Sequence, residues 1–136
     1  MPGASEEKDA IREALAEFCF HLDDGRFAEV AALFSEDGTW DAPFGKITGR
    51  QAISHQVASM AARRAAQPDA RDIHQVTNII VTLDGERANV RSYWTVVHNT
   101  PQGPQVRVGG VSTDEMVKQA GKWLFRYRKT DRLIPP

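Results

Sequence analysis

One cysteine in 136 residues means that no internal disulfide can hold this chain together. Cys19 sits among Phe18, Phe20 and Leu22, which reads as core packing rather than thiol chemistry. No apolar run approaches the length needed to cross a bilayer, and the stretch up to Asp9 is polar and acidic rather than a signal peptide. A cytoplasmic protein without a membrane partner is expected. Charge of one sign is also lacking: the net charge is -1, and Arg63-Arg64 is too short a basic run to attract nucleic acid. Tyrosine is scarce, with only Tyr93 and Tyr127. There is no metal-ligand spacing, phosphate-cradling glycine loop, nucleophile elbow or nucleotide motif, so neither a metal nor a cofactor is expected.

What remains is an ordinary globular composition, 41% hydrophobic and 26% charged, enough for one domain over residues 1–136 with one core. Ser5, with Glu6, Glu7 and Asp9 behind it, reads as a helix start. Ile11, Leu15, Phe18, Cys19 and Leu22 then form one buried stripe, and Gly25 ends the helix. A short second helix carries Phe27, Val30, Leu33 and Phe34. Asp37-Gly38 reads as a turn, and Thr39-Trp40-Asp41 as the start of a short strand broken by Pro43 and Gly45. A third helix opens at Thr48-Gly49-Arg50, buries Ile53, Val57 and Met60, and ends at Gln67-Pro68-Asp69.

Beyond Asp72 the pattern becomes that of strands: Ile73 to Leu83, Ala88 to Asn99, Val106 to Val117 and Trp123 to Arg132. Turns at Asp84-Gly85, Pro101-Gln102-Gly103-Pro104 and Ala120-Gly121 join them. Three helices before a five-stranded meander make an α+β domain, with the helices packed on one face of a strongly curved, mainly antiparallel sheet. Such a sheet leaves a concave pocket. Phe18, Leu22, Val57, Met60, Trp40 and Trp94 are its expected apolar walls, with Phe44 beside them.

Within Ile73-His74-Gln75-Val76-Thr77-Asn78, His74 stands at the start of a strand, with Asp23 upstream at the end of a helix. An imidazole held by a carboxylate can take a proton from carbon near neutral pH, because its ordinary pKa is about 6.5. A structural, hydrogen-bonded histidine is the plainer alternative, and for Asp23 a solvated helix-end acid. If even-numbered positions of two adjoining strands face the pocket, Val76, Asn78, Ser92, Trp94, Val96 and His98 surround His74. His98 could then protonate a leaving group or bind a substrate oxygen, or face solvent at its strand end. Strict alternation turns Arg128 away from Phe125, so only a bulge would bring it inward.

The order of elements resembles the SnoaL-like branch of the nuclear-transport-factor-2-like superfamily, from about Asp9 to Arg132. The resemblance rests on Leu22-Asp23-Asp24-Gly25-Arg26-Phe27, Leu33-Phe34-Ser35-Glu36-Asp37-Gly38, Thr48-Gly49-Arg50-Gln51-Ala52-Ile53, Ile73 to Asn78, Gly109-Gly110-Val111-Ser112-Thr113-Asp114-Glu115 and Gly121-Lys122-Trp123-Leu124-Phe125. It implies the cone-shaped fold with a metal-free pocket. The motifs are most similar to those of lindane dehydrochlorinases and scytalone dehydratases, in which an Asp–His pair is the acid–base centre of an elimination. Carried over, the resemblance implies Asp23 and His74 as the catalytic pair, with Phe18, Trp40, Met60, Trp94, His98 and Arg128 binding substrate.

Two departures count. Dehydratases of this type place tyrosines in the pocket, where the first helix here offers Phe18 and Phe20. Ketosteroid isomerases carry their aspartate immediately before a proline, whereas Ala42 precedes Pro43 and Asp41 belongs on the opposite face. The expectation is a cofactor-independent lyase acting on a small hydrophobic cyclic, polyketide-, steroid- or terpenoid-like molecule, as a homodimer or homotrimer. A non-catalytic binding or assembly domain, or an isomerase or hydrolase of the same fold, is the alternative.

Overall fold

The computed structural model describes residues 2–136. Three helices, α1 (Ala4–Asp23), α2 (Phe27–Ala32) and α3 (Arg50–Ala65), pack on one face of a curved six-stranded sheet. The strands are β1 (Phe34–Ala42), β2 (Gly45–Thr48), β3 (Asp72–Asp84), β4 (Arg87–Thr100), β5 (Gly103–Gln119) and β6 (Lys122–Ile134), laid side by side as β2-β1-β6-β5-β4-β3. Among the described residues, only the β1–β6 pairing is parallel. The helix α1 buries Ile11, Leu15, Phe18 and Leu22, spaced three and four apart, each worth roughly 1.5–3 kcal/mol of burial. Phe34, Trp40, Ile53, Val57 and Phe125 meet that stripe from the sheet and from α3.

Several sequence expectations are corrected. The sheet has six strands rather than five, because the four residues Gly45–Thr48 pair back onto β1 as an edge strand. Phe34 opens β1 instead of closing α2. Asp37-Gly38 does not reverse the chain: it lies in a bulged stretch of β1, between the pairs Phe34–Phe125 and Thr39–Tyr127. A side chain at Gly38 would stand 2.9 Å from the Phe125 carbonyl, so close strand approach, not a turn, explains this glycine. Ser5 lies inside α1, which starts one residue earlier and is capped by the backbone at Gly3. Glu7 in that first turn accepts hydrogen bonds from Lys118 Nζ at 2.6 Å and Trp123 Nε1 at 2.5 Å, docking α1 on β5 and β6.

Bulges decide which residues face inward. On β3 the register slips between Thr77 and Ile80, and Asn78 adopts a positive φ of 55°. Before the slip His74 and Val76 point in; after it Ile79, Val81 and Leu83 do. Asn78 is therefore exposed, contrary to strict alternation. On β6 the slip skips Arg126, between the pairs Glu115–Tyr127 and Met116–Phe125. That one extra residue turns Arg128 to the same side as Phe125.

Candidate active site

Asp23 is the last residue of α1, and His74 the third of β3. The Asp23 carboxylate holds His74 twice. Oδ2 accepts the backbone N–H of His74 at 2.9 Å, and Oδ1 lies 2.6 Å from ring Nδ1. A carboxylate only accepts, so Nδ1 carries the proton, and in the neutral ring Nε2 is the acceptor. The helix end that carries this carboxylate is fixed from behind. Gly25, with φ 68°, closes the helix end, and Arg64 from α3 donates to the carbonyls of Asp23 (2.7 Å) and Leu22 (3.3 Å). Arg64 thus satisfies the Asp23 carbonyl at the end of α1 and shares the Leu22 carbonyl with the Gly25 N–H.

His74 opens onto a cavity of about 680 Å³, of the size that holds a small organic molecule. Phe18, Leu22, Trp40, Met60, Trp94 and Val96 form apolar walls. Trp40 is anchored by Nε1 donating to Thr130 Oγ1 at 3.2 Å, with Phe18 and Phe44 edge-on to its ring at 5.3 and 4.9 Å. The Trp94 indole lies against Gly110, where an added Cβ would fall 2.7 Å from the ring. Cys19 also reaches the lining, but burial pushes its thiol up to about 11, so it stays protonated.

A second imidazole–carboxylate contact stands nearer the open end. His98 Nδ1 is 2.5 Å from Asp72 Oδ1, across a directly opposed β3–β4 pair, and Arg107 donates to the other Asp72 oxygen at 2.8 Å. Burial works to raise the Asp72 pKa. The hydrogen bond from His98 and the Arg107 charge outweigh it and hold the carboxyl below its ordinary value. His98 lines the cavity and is one-third exposed.

Deeper in, Arg128 is 3% exposed and Asp114 fully buried. The guanidinium donates to Asp114 Oδ2 at 3.1 Å and to Ser112 Oγ at 3.4 Å. It also lies over the rings of Phe18 (4.4 Å) and Phe125 (4.7 Å). Burial pushes the Asp114 carboxyl up to about 6, against the pull of Arg128. Arg128 Nε and Asp114 Oδ1 are buried with no hydrogen-bond partner. Among the described residues, no three His, Cys, Asp or Glu side chains cluster as a metal would require.

The SnoaL-like domain matches residues 3–129, nearly the whole chain. The chain belongs to the SnoaL-like family. No functionally curated protein matches it in sequence. Among solved structures it is similar to a provisionally named scytalone dehydratase of Novosphingobium aromaticivorans, at 28% identity and TM-score 0.77, covering 94% of this chain and 85% of that one. It is similar to a protein of unknown function from Mycobacterium tuberculosis, at 25% identity and TM-score 0.82, with 96% and 76% covered. A nuclear-transport-factor-2-like protein with a cystatin-like fold, also from N. aromaticivorans, shares the fold at 21% identity and TM-score 0.84, over 94% and 82% of the chains.

In this SnoaL-like domain the residues singled out from sequence (Asp23, His74, Phe18, Trp40, Met60, Trp94, His98 and Arg128) come together around one cavity, Asp23 from behind His74. Others stay outside it. Val57 is packed in the core, Val76 and Ser92 lie off the lining, and Phe20 is 69% exposed. Asp41 faces away and accepts the Tyr127 hydroxyl at 2.6 Å, while Ala42 lines the cavity. Neither tyrosine reaches the lining. Asp72, Asp114 and Arg64 were missed. Asp72 shares the face of His74 two residues earlier, which alternation would have revealed. Asp114 lies within the Gly-Gly-x-x-Thr-Asp-Glu segment but directly opposes Arg128 only because of the β6 bulge. For Arg64 no local signal existed.

Proposed function

We propose that this protein is a cofactor-independent lyase that eliminates water or hydrogen halide from a small, largely apolar cyclic molecule. The observation that carries the reading is the Asp23–His74 contact of 2.6 Å beside an apolar cavity. His74 Nε2 takes a proton from carbon, and the C–H electron pair becomes the new double bond. Asp23 keeps the tautomer and stabilises the imidazolium that forms. His98 donates a proton to a departing hydroxyl, and Arg128 faces the negative charge that develops on an oxygen or halide. The 28% identity to a provisionally named scytalone dehydratase supports the same reaction class.

The second reading, a non-catalytic binding domain, draws on the absence of any tyrosine from the cavity lining. An isomerase of the ketosteroid kind is disfavoured because Asp41 points outward. A panel of cyclic alcohols and halides, followed for alkene formation, separates lyase from binder. Turnover that disappears in His74→Ala supports the lyase, and saturable binding without turnover across the panel supports the binder. We also propose a cytoplasmic homodimer or homotrimer formed through the outer sheet face, where Ile73, Ile80 and Tyr93 are exposed. A monomer in sedimentation velocity would rule that assembly out.

A further inference from the structure

The cavity's charge does not match the chain's. The protein as a whole carries -1, yet five arginines line this one cavity: Arg63, Arg64, Arg107, Arg128 and Arg132. Three of them have internal partners. Arg107 is paired with Asp72, Arg128 with Asp114, and Arg64 donates to the carbonyls at the end of α1. Arg63 and Arg132 have none: among the described residues no carboxylate lies within 4.0 Å of either, and neither makes a side-chain hydrogen bond.

Both stand at the open end. Arg63 follows Met60 by three residues in the last turn of α3, and so shares its cavity-lining face. Arg132 follows Arg128 and Thr130 on the inward side of β6, opposite Gly110. The negative end of the α3 dipole accounts for a cation at Arg63, but nothing comparable accounts for Arg132 on a strand. Two guanidiniums at the rim of an apolar cleft, without counterions of their own, focus a positive potential there.

We infer that the natural ligand is an organic acid, an aromatic or alicyclic body with a carboxylate that reaches the rim and lies between Arg63 and Arg132. The ring fills the space among Phe18, Trp40, Trp94 and Val96. The carboxylate pairs with these two arginines through planar guanidinium–carboxylate hydrogen bonds. This assignment rests on the same cavity as the lyase reading and narrows its substrate to acids. Its sign is opposite to that of a purely hydrophobic pocket, which would discriminate against charge.

The test is calorimetric binding of two probes of equal shape, 2-naphthoate and its neutral amide 2-naphthamide, to the full chain near neutral pH. Naphthoate binds about tenfold more tightly than the amide, and ~0.5 M salt erodes most of the difference. In Arg63→Gln/Arg132→Gln the preference falls below about twofold while the melting temperature is unchanged, since both residues are exposed and outside the core. Equal affinities, a preference that survives the double substitution, or no binding of either probe at millimolar concentration overturns the proposal. An elimination assay on the wild-type protein, run beside the titration, keeps the two readings apart. An intact acid preference with no elimination on any acid substrate sinks the lyase alone, and elimination of neutral substrates with no acid preference sinks this inference alone.

Discussion

At the scale of single residues, Asp114 is placed where a carboxylate is least at home. It is fully buried, satisfied on one oxygen only, and its pKa is pushed up to about 6 by burial despite Arg128. Because that lies above the ordinary value of 3.8, the folded state favours the protonated form. The contribution is complete below about pH 4 and is lost as pH rises through about 6. Acidification from about pH 7 to 5 should therefore stabilise the wild-type protein relative to Asp114→Asn, by on the order of 1 kcal/mol. Glu7, held below its ordinary value by its hydrogen bond from Lys118, and Asp72 act in the opposite sense, in the lower range where their own carboxyls protonate. Thermal melts of both proteins between about pH 7 and 5 would show it, and parallel curves would mean Asp114 does not titrate there. The arrangement was only half legible: the sequence offered Arg128 as a pocket residue but gave no sign of its buried partner.

At the scale of elements, hydrophobic period and turn chemistry located the three helices and four long strands, because each has a one-sided stripe or alternation and a glycine-bearing turn. What they could not show is where a strand slips by one residue. The bulges at Asn78 and Arg126 invert which side chains face the core, yet neither residue is a glycine or proline that would mark the spot. Edge strand β2 was hidden for a different reason, since four residues with one half-buried side chain carry almost no pattern. Gly109-Gly110 was legible as a motif but not in its purpose. A Cβ at Gly110 would collide with the Asp131 carbonyl and the Trp94 indole, whereas at Gly109 the nearest atoms stand at an ordinary 3.4 Å. Gly110→Ala should cost at least ~2 kcal/mol in urea unfolding and disturb the Trp94 wall, with Gly109→Ala much milder. Equal costs at the two positions would contradict this account of how β5 and β6 shape the cavity.

At the scale of the whole molecule, the fold brings residues 51 apart in sequence into one hydrogen-bonded pair, and it sets them beside a cavity that one sheet face and two helix ends enclose. Asp23 and His74 were legible because each is a titratable side chain at a recognisable boundary, one at a helix end and one opening a strand. The arginine-rich rim was not, because its members come from α3, β5 and β6 and converge only in space. The central claim is that this pair performs acid–base chemistry. The most direct measurement compares the elimination rate of His74→Ala with that of the wild type, on whichever substrate the wild type turns over, with both proteins' melting temperatures recorded alongside. Loss of a positioned base predicts a fall of about 10²- to 10⁴-fold with melting little changed. A variant that melts far lower yet keeps its specific activity would show that His74 holds the fold together and does no chemistry.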